Sequence, residues 1–123
     1  MEQSIPFLLQ LQVQTQLWHW QTNHYAAHVA LGGYYDTISE LTDRFVEVTK
    51  GKNENGAKPA LEHAPIEIRG IVGVDLEAQY AEWAQHLLQW SCSEEISSQP
   101  EVQDIVLDMI NETHKLVYLL RLK

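Results

Sequence analysis

The sequence predicts an all-α fold, a bundle of four helices with a long crossover between helices 2 and 3. Apolar residues recur every three or four positions over about 25–50, 75–90 and 100–122, which is the spacing of one buried helix face. Residues 51–65 are rich in Gly, Pro and Asn, which indicates a loop. One long connection among such helices is typical of a bundle with a crossover. The length of 123 residues fits a single domain over 1–123.

The first helix is predicted over about residues 5–22, although its pattern is ambiguous. Every second residue between Leu9 and Leu17 is Gln, and a period of two is also typical of a strand. The length of the run and the absence of a turn residue within it favour a helix, and Gln and Leu are good helix formers. The predicted helix has one consistent face, made of Leu8, Leu11, Thr15, Trp18 and Thr22.

The second helix is predicted from about Tyr25 to Lys50 and ends at Gly51. Its apolar face is made of Leu31, Tyr35, Ile38, Leu41, Phe45 and Val48. The adjacent Gly32 and Gly33 cost such a helix about 2 kcal/mol relative to two alanines. Such a pair is tolerated more readily where another backbone comes close.

The crossover is predicted to lead into a third helix that begins after Asp75. Residues 66–74 alternate apolar side chains with Glu67 and Arg69, so a short strand and an extended crossover both remain open. Asp75 is a suitable N-cap for a helix that continues through Trp90. The apolar face of this helix is made of Leu76, Trp83, Leu87 and Trp90.

The fourth helix is predicted from the segment Ser98-Gln99-Pro100-Glu101, which has the pattern of a capping box. A loop over 91–97 precedes it, and the helix extends to about Leu122. Its apolar stripe is made of Val102, Ile105, Val106, Met109, Ile110, Val117 and Leu120.

The composition excludes several classes of protein. The chain has 8 basic and 17 acidic residues and a net charge of -9, which argues against a nucleic-acid binder because phosphate binding depends on Lys and Arg. The single cysteine, Cys92, excludes an intrachain disulfide framework and fits a reducing compartment. There is no signal-peptide pattern and no apolar stretch of 18 residues, so we expect a cytoplasmic protein without a membrane partner.

Most of the N-terminal third has no charged residues. Between Gln3 and Tyr35 there is no Asp, Glu, Lys or Arg, although the segment holds six glutamines and three histidines. The outer face of a water-exposed helix usually carries charged residues. We therefore predict that this segment packs against another subunit.

The second helix also carries the most plausible chemistry. His28, Asp36, Glu40, Asp43 and Glu47 fall within about 120° of one another around a helix. A mixed set of imidazoles and carboxylates suits Fe(II), Mn(II) or Zn(II). The alternative interpretation is an acidic stripe that simply faces water.

The spacing of these residues has a consequence for assembly. His28 and Asp43 are fifteen residues apart, or about 22 Å along a helix, so they cannot bind one ion within one chain. If the same helix of a second subunit packs antiparallel, His28 of one chain meets Asp43 and Glu47 of the other, and a two-fold axis creates two identical sites. Metal binding by this face therefore predicts a dimer.

These residues resemble a known family. The segment Leu17-Trp18-His19-Trp20, followed by His28, Asp43 and Glu47, with a helix end at Gly51, is similar to the Dps-type mini-ferritins of the ferritin-like superfamily. The resemblance covers roughly residues 8–51. The segment 111–120 is fainter evidence and resembles short phage-encoded (viral) proteins of this type with no established function.

The resemblance implies a ferritin-like four-helix bundle that forms a homo-oligomer with a two-fold dimer through helices 1 and 2. It implies an inter-subunit ferroxidase-type site that binds and oxidises Fe(II), with Mn or Zn as alternative metals. His19 and His28 would come from one subunit, and Asp43 and Glu47 from the other. Asp36 is the carboxylate that would complete the ligand set.

Three departures from the family pattern keep a second function open. His19 and His28 are nine residues apart, about three fewer than is usual in the family, and Gly32 stands where a further carboxylate is common. Asp36 could replace that carboxylate but lies one turn further along. The basic N-terminal tail is absent. The alternative function is therefore a non-enzymatic Dps-like structural or interaction protein that has lost a working metal centre.

Overall fold

The computed structural model describes residues 4–52 and 65–122, and 82% of these residues are helical. The predicted all-α fold is confirmed, and the described residues contain no strand. The helices are α1 (Ser4–Gln21), α2 (Tyr25–Lys52), α3 (Leu76–Ser91), α4 (Glu94–Ser97) and α5 (Pro100–Arg121). None of the helices in the described ranges is both long enough and apolar enough to cross a bilayer. Most of the predicted loop, 53–64, lies outside the described residues.

The ambiguous N-terminal segment is a helix, and its neighbours explain the repeated glutamines. Leu8, Leu11 and Trp18 are buried on one side of α1, as the helical interpretation predicted. Gln14 is only 2% exposed, so α1 also buries one of its polar positions. The alternation of Leu and Gln therefore reflects a helix that is covered on more than one side, and not a strand.

The start of α3 is confirmed, whereas the start of the last long helix differs from the prediction. The Asp75 carboxylate accepts a hydrogen bond from the Ala78 N–H at 3.1 Å, as an N-cap does. The expected loop over 91–97 contains the short helix α4. The predicted capping box was wrong, because the N-cap of α5 is Gln99 and Ser98 instead ends α4, where its hydroxyl donates to the Glu95 carbonyl.

Contacts between distant residues give the directions of the helices. Lys52 at the end of α2 forms an ion pair with Glu101 at the start of α5, which lowers the pKa of Glu101 through a hydrogen bond. Near the start of α2, Tyr34 contacts Thr113 toward the end of α5. The two helices are therefore antiparallel, and α3 is also antiparallel to α5 because Glu77 pairs with Arg121. It follows that α2 and α3 run in the same direction.

An aromatic cluster joins the four long helices at the centre of the core. The Trp18 ring lies edge-on to Tyr80 and stacks on Trp83, with centroid separations of 5.9 and 5.7 Å. Tyr80 also contacts Tyr34, which is buried, whereas the predicted Tyr35 is only half-buried. The Tyr80 hydroxyl shares a hydrogen bond of 2.6 Å with Thr15. The cluster therefore ties α1 and α2 to α3, and Tyr34 ties α2 to α5.

The segment over 65–71, which precedes α3, lies along α1 without forming a strand or a helix. The Gln14 side chain donates to the Arg69 carbonyl and accepts from the Arg69 N–H, both at 2.8 Å. The Trp18 indole N–H donates to the same carbonyl, and Gln21 accepts from the Ile71 N–H. Of the two open predictions for 66–74, the strand is not present in this segment, and its last residues form a turn in which the Val74 N–H donates to the Ile71 carbonyl. Three of the five glutamines in α1 hold this segment, since Gln10 also accepts a hydrogen bond from it.

Candidate metal centre

His19 and His28 form a reciprocal pair at the junction of α1 and α2. Their rings stack with centroids 3.9 Å apart and planes 13° from parallel. His19 Nδ1 lies 2.6 Å from the carbonyl oxygen of His28, and His28 Nδ1 lies 2.8 Å from the carbonyl oxygen of His19. The three-residue connection over 22–24 brings the two positions together. The spacing of nine residues between the two histidines therefore lets each ring reach the backbone carbonyl of the other residue.

The hydrogen bonds determine which nitrogen of each imidazole is available. A carbonyl oxygen can only accept, so each Nδ1 carries its hydrogen and donates. In the neutral ring, the lone pair then lies on Nε2, and neither Nε2 has a protein partner in the described ranges. Histidines that bind metals commonly donate their other N–H to a carbonyl in this way. Both rings are thus oriented as metal ligands are.

The stacking limits how the two imidazoles can act together. The lone pair of Nε2 lies in the plane of its ring, and a metal ion binds in that plane at about 2.0–2.1 Å. Because the two planes are nearly parallel and the centroids are 3.9 Å apart, one ion cannot lie in both planes. If both rings bound metal in this arrangement, each would therefore need its own ion, and binding of a single ion by both would require one ring to turn.

Gly32 makes room for the His19 ring. A Cβ atom on Gly32 would lie 2.8 Å from His19 Cε1, which is closer than such atoms approach. The close approach to Gly32 is therefore made by a side chain and not by another backbone. The space that a side chain at residue 32 would fill is occupied by the imidazole itself. At Gly33, nothing within the described chain lies within 4 Å.

The three predicted carboxylates lie on α2 away from the histidines. Asp36, Asp43 and Glu47 are all exposed. Because α2 is one uninterrupted helix, Asp43 is about 22 Å from His28 and Asp36 about 12 Å. In the part of the chain that the structure describes, no three His, Cys, Asp or Glu residues lie close enough to hold one ion. One chain thus brings His19 and His28 together and leaves the carboxylates apart.

The outer side of α1 and α2 near the histidine pair carries exposed apolar side chains. Trp20 is 67% exposed, Tyr25 80% and Val29 53%. Trp18 is fully buried, as expected, but Trp20 is not part of the core of this chain. We call this group, together with Val13 and the open position Gly33, the outer α1–α2 surface. It is continuous with the exposed carboxylates further along α2.

A cavity of about 870 Å³ opens at the end of the molecule where α1 joins α2, and it does not include the candidate ligands. Its lining is largely apolar, from Ile71, Val74, Leu119 and Leu120, with His24 as the nearest imidazole. None of His19, His28, Asp36, Asp43 and Glu47 contributes to it. The imidazole pair is the better candidate for a metal site, because its hydrogen bonds orient two potential ligands, whereas the described lining of the cavity contains no such pair.

Two features of this region had no clear sequence pattern. The reciprocal bonds of His19 and His28 depend on two backbone carbonyls, which carry no residue-specific signal. The buried Gln14 is indicated only by the lack of charge in the segment from Gln3 to Tyr35. The lack of charge predicts packing against a second subunit. At Gln14, however, the uncharged side chain binds Arg69 of the same chain.

Comparison with known proteins identifies a family whose function is unknown. A family model described as a family of unknown function (DUF5856) matches residues 19–120, from His19 to near the end of α5. No curated protein and no solved structure matches the chain. Since the match covers most of the chain, including every candidate ligand, the chain belongs to this family of unknown function, DUF5856.

Proposed function

We propose that this protein is a Dps-like iron-binding protein that oxidises and sequesters Fe(II) at a site shared between two subunits. The observation that carries the proposal is the reciprocal His19–His28 pair. Both Nδ1 atoms donate to backbone carbonyls, which leaves two oriented Nε2 atoms for metal. The two half-buried rings are thereby held in fixed orientations, and imidazole is a good ligand for iron.

The helix directions support a ferritin-like four-helix bundle with a long crossover between helices 2 and 3. α1 is linked to α2 by a tight connection, α2 and α3 run in the same direction, and α5 is antiparallel to both. Two parallel helices that follow each other in the chain require one long crossover, as in ferritin-like folds. The short α4 then belongs to the connection between α3 and α5.

The proposed dimer forms through the outer α1–α2 surface. An antiparallel contact between the two α2 helices, in the register that joins His28 to Asp43 and Glu47 of the partner subunit, centres on Asp36. Exposed apolar groups such as Val29 supply area at each end. Gly33, which has open space beside it, allows a close helix approach near the axis. Asp36 then lies near its own copy, where a cation would offset the repulsion.

The residues have distinct roles in this proposal. The neutral imidazoles of His19 and His28 bind incoming Fe(II). The carboxylates of Asp43 and Glu47 from the partner subunit also bind the ion and neutralise its charge. Each of two Fe(II) ions gives one electron to a peroxide molecule, which takes up two protons and leaves as two waters; oxygen is the alternative oxidant. Glu40 and Asp36 attract further cations along α2. The net charge of -9 fits a cation-binding role better than binding to nucleic acid.

We also propose a cytoplasmic location, since a single free cysteine, Cys92, and Fe(II) chemistry both fit a reducing compartment. No membrane or nucleic-acid partner is part of the proposal. A second copy of the chain is the partner that the site requires.

Anaerobic titration of Fe(II) into metal-free protein tests the proposal. We expect about one or two ions per subunit, as a site with one or two imidazole-bound ions requires. The double variant His28→Ala/Asp43→Ala should lose this binding, and the wild type should oxidise Fe(II) faster than buffer does once peroxide is added. The matched control is His114→Ala/Asp104→Ala, which removes one exposed imidazole and one exposed carboxylate from α5. Binding in the wild type no stronger than in the His28→Ala/Asp43→Ala variant would rule out the ferroxidase.

A mixing experiment tests whether the site is shared between chains. In a two-fold dimer, one His28→Ala subunit paired with one Asp43→Ala subunit retains one intact site, because both remaining ligands of that site are wild type. Random mixing of the two inactive variants should therefore restore about one quarter of the wild-type sites. No recovery on mixing would exclude the shared site, while separate activity of either variant would exclude the ligand assignment.

The second candidate is an interaction protein without a metal centre, and Gly32 favours it. The His19 ring occupies the space of a side chain at residue 32, the position where the Dps-type mini-ferritins often have a carboxylate. In that case the histidine pair serves only to join α1 to α2. The variants above would then leave metal content unchanged and alter only the stability of the fold.

A further inference from the structure

The end of the crossover presents two different edges, one of which is bound to α1. The N–H groups of Glu67, Arg69 and Ile71 and the carbonyl of Arg69 all bind side chains of α1. These residues alternate along the chain, which is the two-residue period of an extended backbone. The segment therefore binds α1 through every second residue. The glutamine amides of α1 form the hydrogen bonds that a neighbouring strand would form in a sheet.

The other edge carries no partner in the described parts of the chain. In an extended backbone, successive residues direct their N–H and C=O groups to opposite sides. The peptide groups of Ile66, Ile68 and Gly70 therefore point away from α1, and none of them forms a hydrogen bond to a described protein group. The side chains of Ile66 and Ile68 are 36% and 47% exposed. An exposed edge of this kind is a template for pairing with another chain.

We propose that this free edge pairs antiparallel with the same edge of a second copy of the chain, across a two-fold axis at Ile68. Ile68 then lies opposite its own copy, and the two residues exchange two N–H to O=C hydrogen bonds. Ile66 lies opposite Gly70 of the partner subunit and can exchange two more at each end. A two-fold contact requires such a self-complementary patch.

The charges of the segment identify a second copy as the occupant. In this register Glu67 lies directly opposite Arg69 of the partner subunit, so two pairs of opposite charge form across the axis. The Arg69 guanidinium is already held by an Nη2 hydrogen bond of 2.7 Å to Gln79, which limits the side-chain freedom lost on pairing. The isoleucines project from the opposite face of the pair, where they can cover each other. A segment whose charges did not alternate in sign would repel its own copy.

The apolar surface continues from this edge onto α1. Val13 and Trp20 lie within about 100° of Gln10 around the helix. They are 40% and 67% exposed. The strand contact alone is small, and this neighbouring surface supplies area that a stable two-fold contact needs. The contact uses no metal ligand. It does share Val13 and Trp20 with the outer α1–α2 surface, so one pair of subunits forms either this contact or the proposed ferroxidase dimer, and not both.

Cysteine cross-linking tests the position of the axis. Residues that exchange both hydrogen bonds have Cα atoms about 5.5 Å apart, within the range that a disulfide spans. Ile68→Cys in a Cys92→Ser background should therefore form a covalent dimer under mild oxidation. Val72→Cys in the same background is the control, because residue 72 is 95% exposed but far from its own copy in this register. Equal or faster cross-linking of the control would overturn the proposal.

Charge reversal tests the register by an independent route. Glu67→Arg and Arg69→Glu each place like charges opposite one another in the dimer, and each should raise the dimer dissociation constant about tenfold. The double variant Glu67→Arg/Arg69→Glu restores opposite charges and should return the constant to near the wild-type value. These constants are measured by sedimentation equilibrium on metal-free protein that also carries Asp43→Ala, so that failure of the ferroxidase proposal does not affect the result. Equal dissociation constants in all four proteins would overturn the pairing.

Discussion

His19 and His28 each donate a ring hydrogen to the other's backbone carbonyl, at 2.6 and 2.8 Å, with their rings stacked at 3.9 Å. The pair closes the connection between α1 and α2 and leaves two Nε2 atoms free of protein partners among the described residues. In the proposed site, the two side chains that join α1 to α2 would also be the metal ligands. The following predictions separate these two roles and test the surfaces around them.

Gly32→Ala should disturb the histidine pair without unfolding the protein. The added methyl group would lie 2.8 Å from His19 Cε1, so the ring must move away from His28. A gain of about 0.8–1 kcal/mol in helix propensity offsets part of the cost. We expect loss of Fe(II) binding and faster exchange of the Nδ1 hydrogens in nitrogen-resolved NMR spectra of the imidazoles. Unchanged imidazole spectra would contradict the assigned contact.

Gly33→Ala should separate the stability of the monomer from that of the dimer. Nothing in the described chain lies within 4 Å of the new methyl group, so the substitution should stabilise α2 by about 0.8–1 kcal/mol. If two α2 helices pack closely near this position, the same methyl group weakens their contact. We expect the free energy of unfolding and the dimer dissociation constant both to rise, as measured by denaturant titration and sedimentation. A tighter dimer would argue against this helix contact.

Divalent metal should strengthen the dimer, because each proposed site needs ligands from two chains. A ligand that binds only the dimer shifts the equilibrium toward it by mass action. Saturating Zn(II), used as a redox-inert probe, should lower the dimer dissociation constant at least about tenfold, and a chelator should reverse the change. Asp43→Ala should abolish the effect, whereas Asp104→Ala should retain it. A metal effect of the same size in Asp43→Ala would place the ions elsewhere.

Burial of two tyrosines should make the fold sensitive to alkali. Burial raises the pKa of Tyr34 and of Tyr80 above the usual value for a phenol, and the Tyr34 hydroxyl donates to Thr113, whose own hydrogen is given to Met109. Because the folded state holds these protons more tightly, stability is complete below about pH 10 and falls as the pH rises further. Denaturant titrations between pH 8 and 11 should show this loss.

The tyrosine variants identify the groups responsible. Tyr80→Phe should be less stable than the wild type at neutral pH, since it leaves Thr15 without its buried partner. Its stability should nevertheless fall less steeply above about pH 10. Tyr118→Phe is the control, because Tyr118 is 57% exposed. An equal alkaline slope in all three proteins would assign the sensitivity to other groups.

Gln14 should be necessary for the position of the crossover. Its buried amide pairs with both the N–H and the carbonyl of Arg69. Gln14→Ala leaves these groups without that partner and should cost about 1–3 kcal/mol in the free energy of unfolding. The Arg69 amide should also lose protection from hydrogen exchange. Gln12→Ala is the matched control on a less buried position of the same helix, and equal effects of the two variants would contradict a specific role.

The sequence was sufficient for most of the helices, because the patterns that define them are local. The apolar spacing identified most of the buried apolar residues of α2 and α5, and Asp75 identified the start of α3. In α3, however, only Leu87 of the predicted face is fully buried, and the central Tyr80 was missed. It failed at the start of α5, where Ser98 has the residue type of a cap but ends the short helix α4. Residue type alone does not decide which of two adjacent helices a capping residue belongs to.

The candidate site was only partly predictable. The sequence by itself determined the all-α class, the helical core faces and the uncharged stretch, since periodicity and composition act through near neighbours in the chain. Only the tertiary structure decided that the His19 ring stacks on His28 and lies against Gly32, and that Gln14 binds Arg69, residues 55 positions apart. Such contacts involve backbone groups and flexible side chains, which leave no pattern in the sequence. Their partners are set by the packing of whole helices, and the packing exists only once the chain has folded.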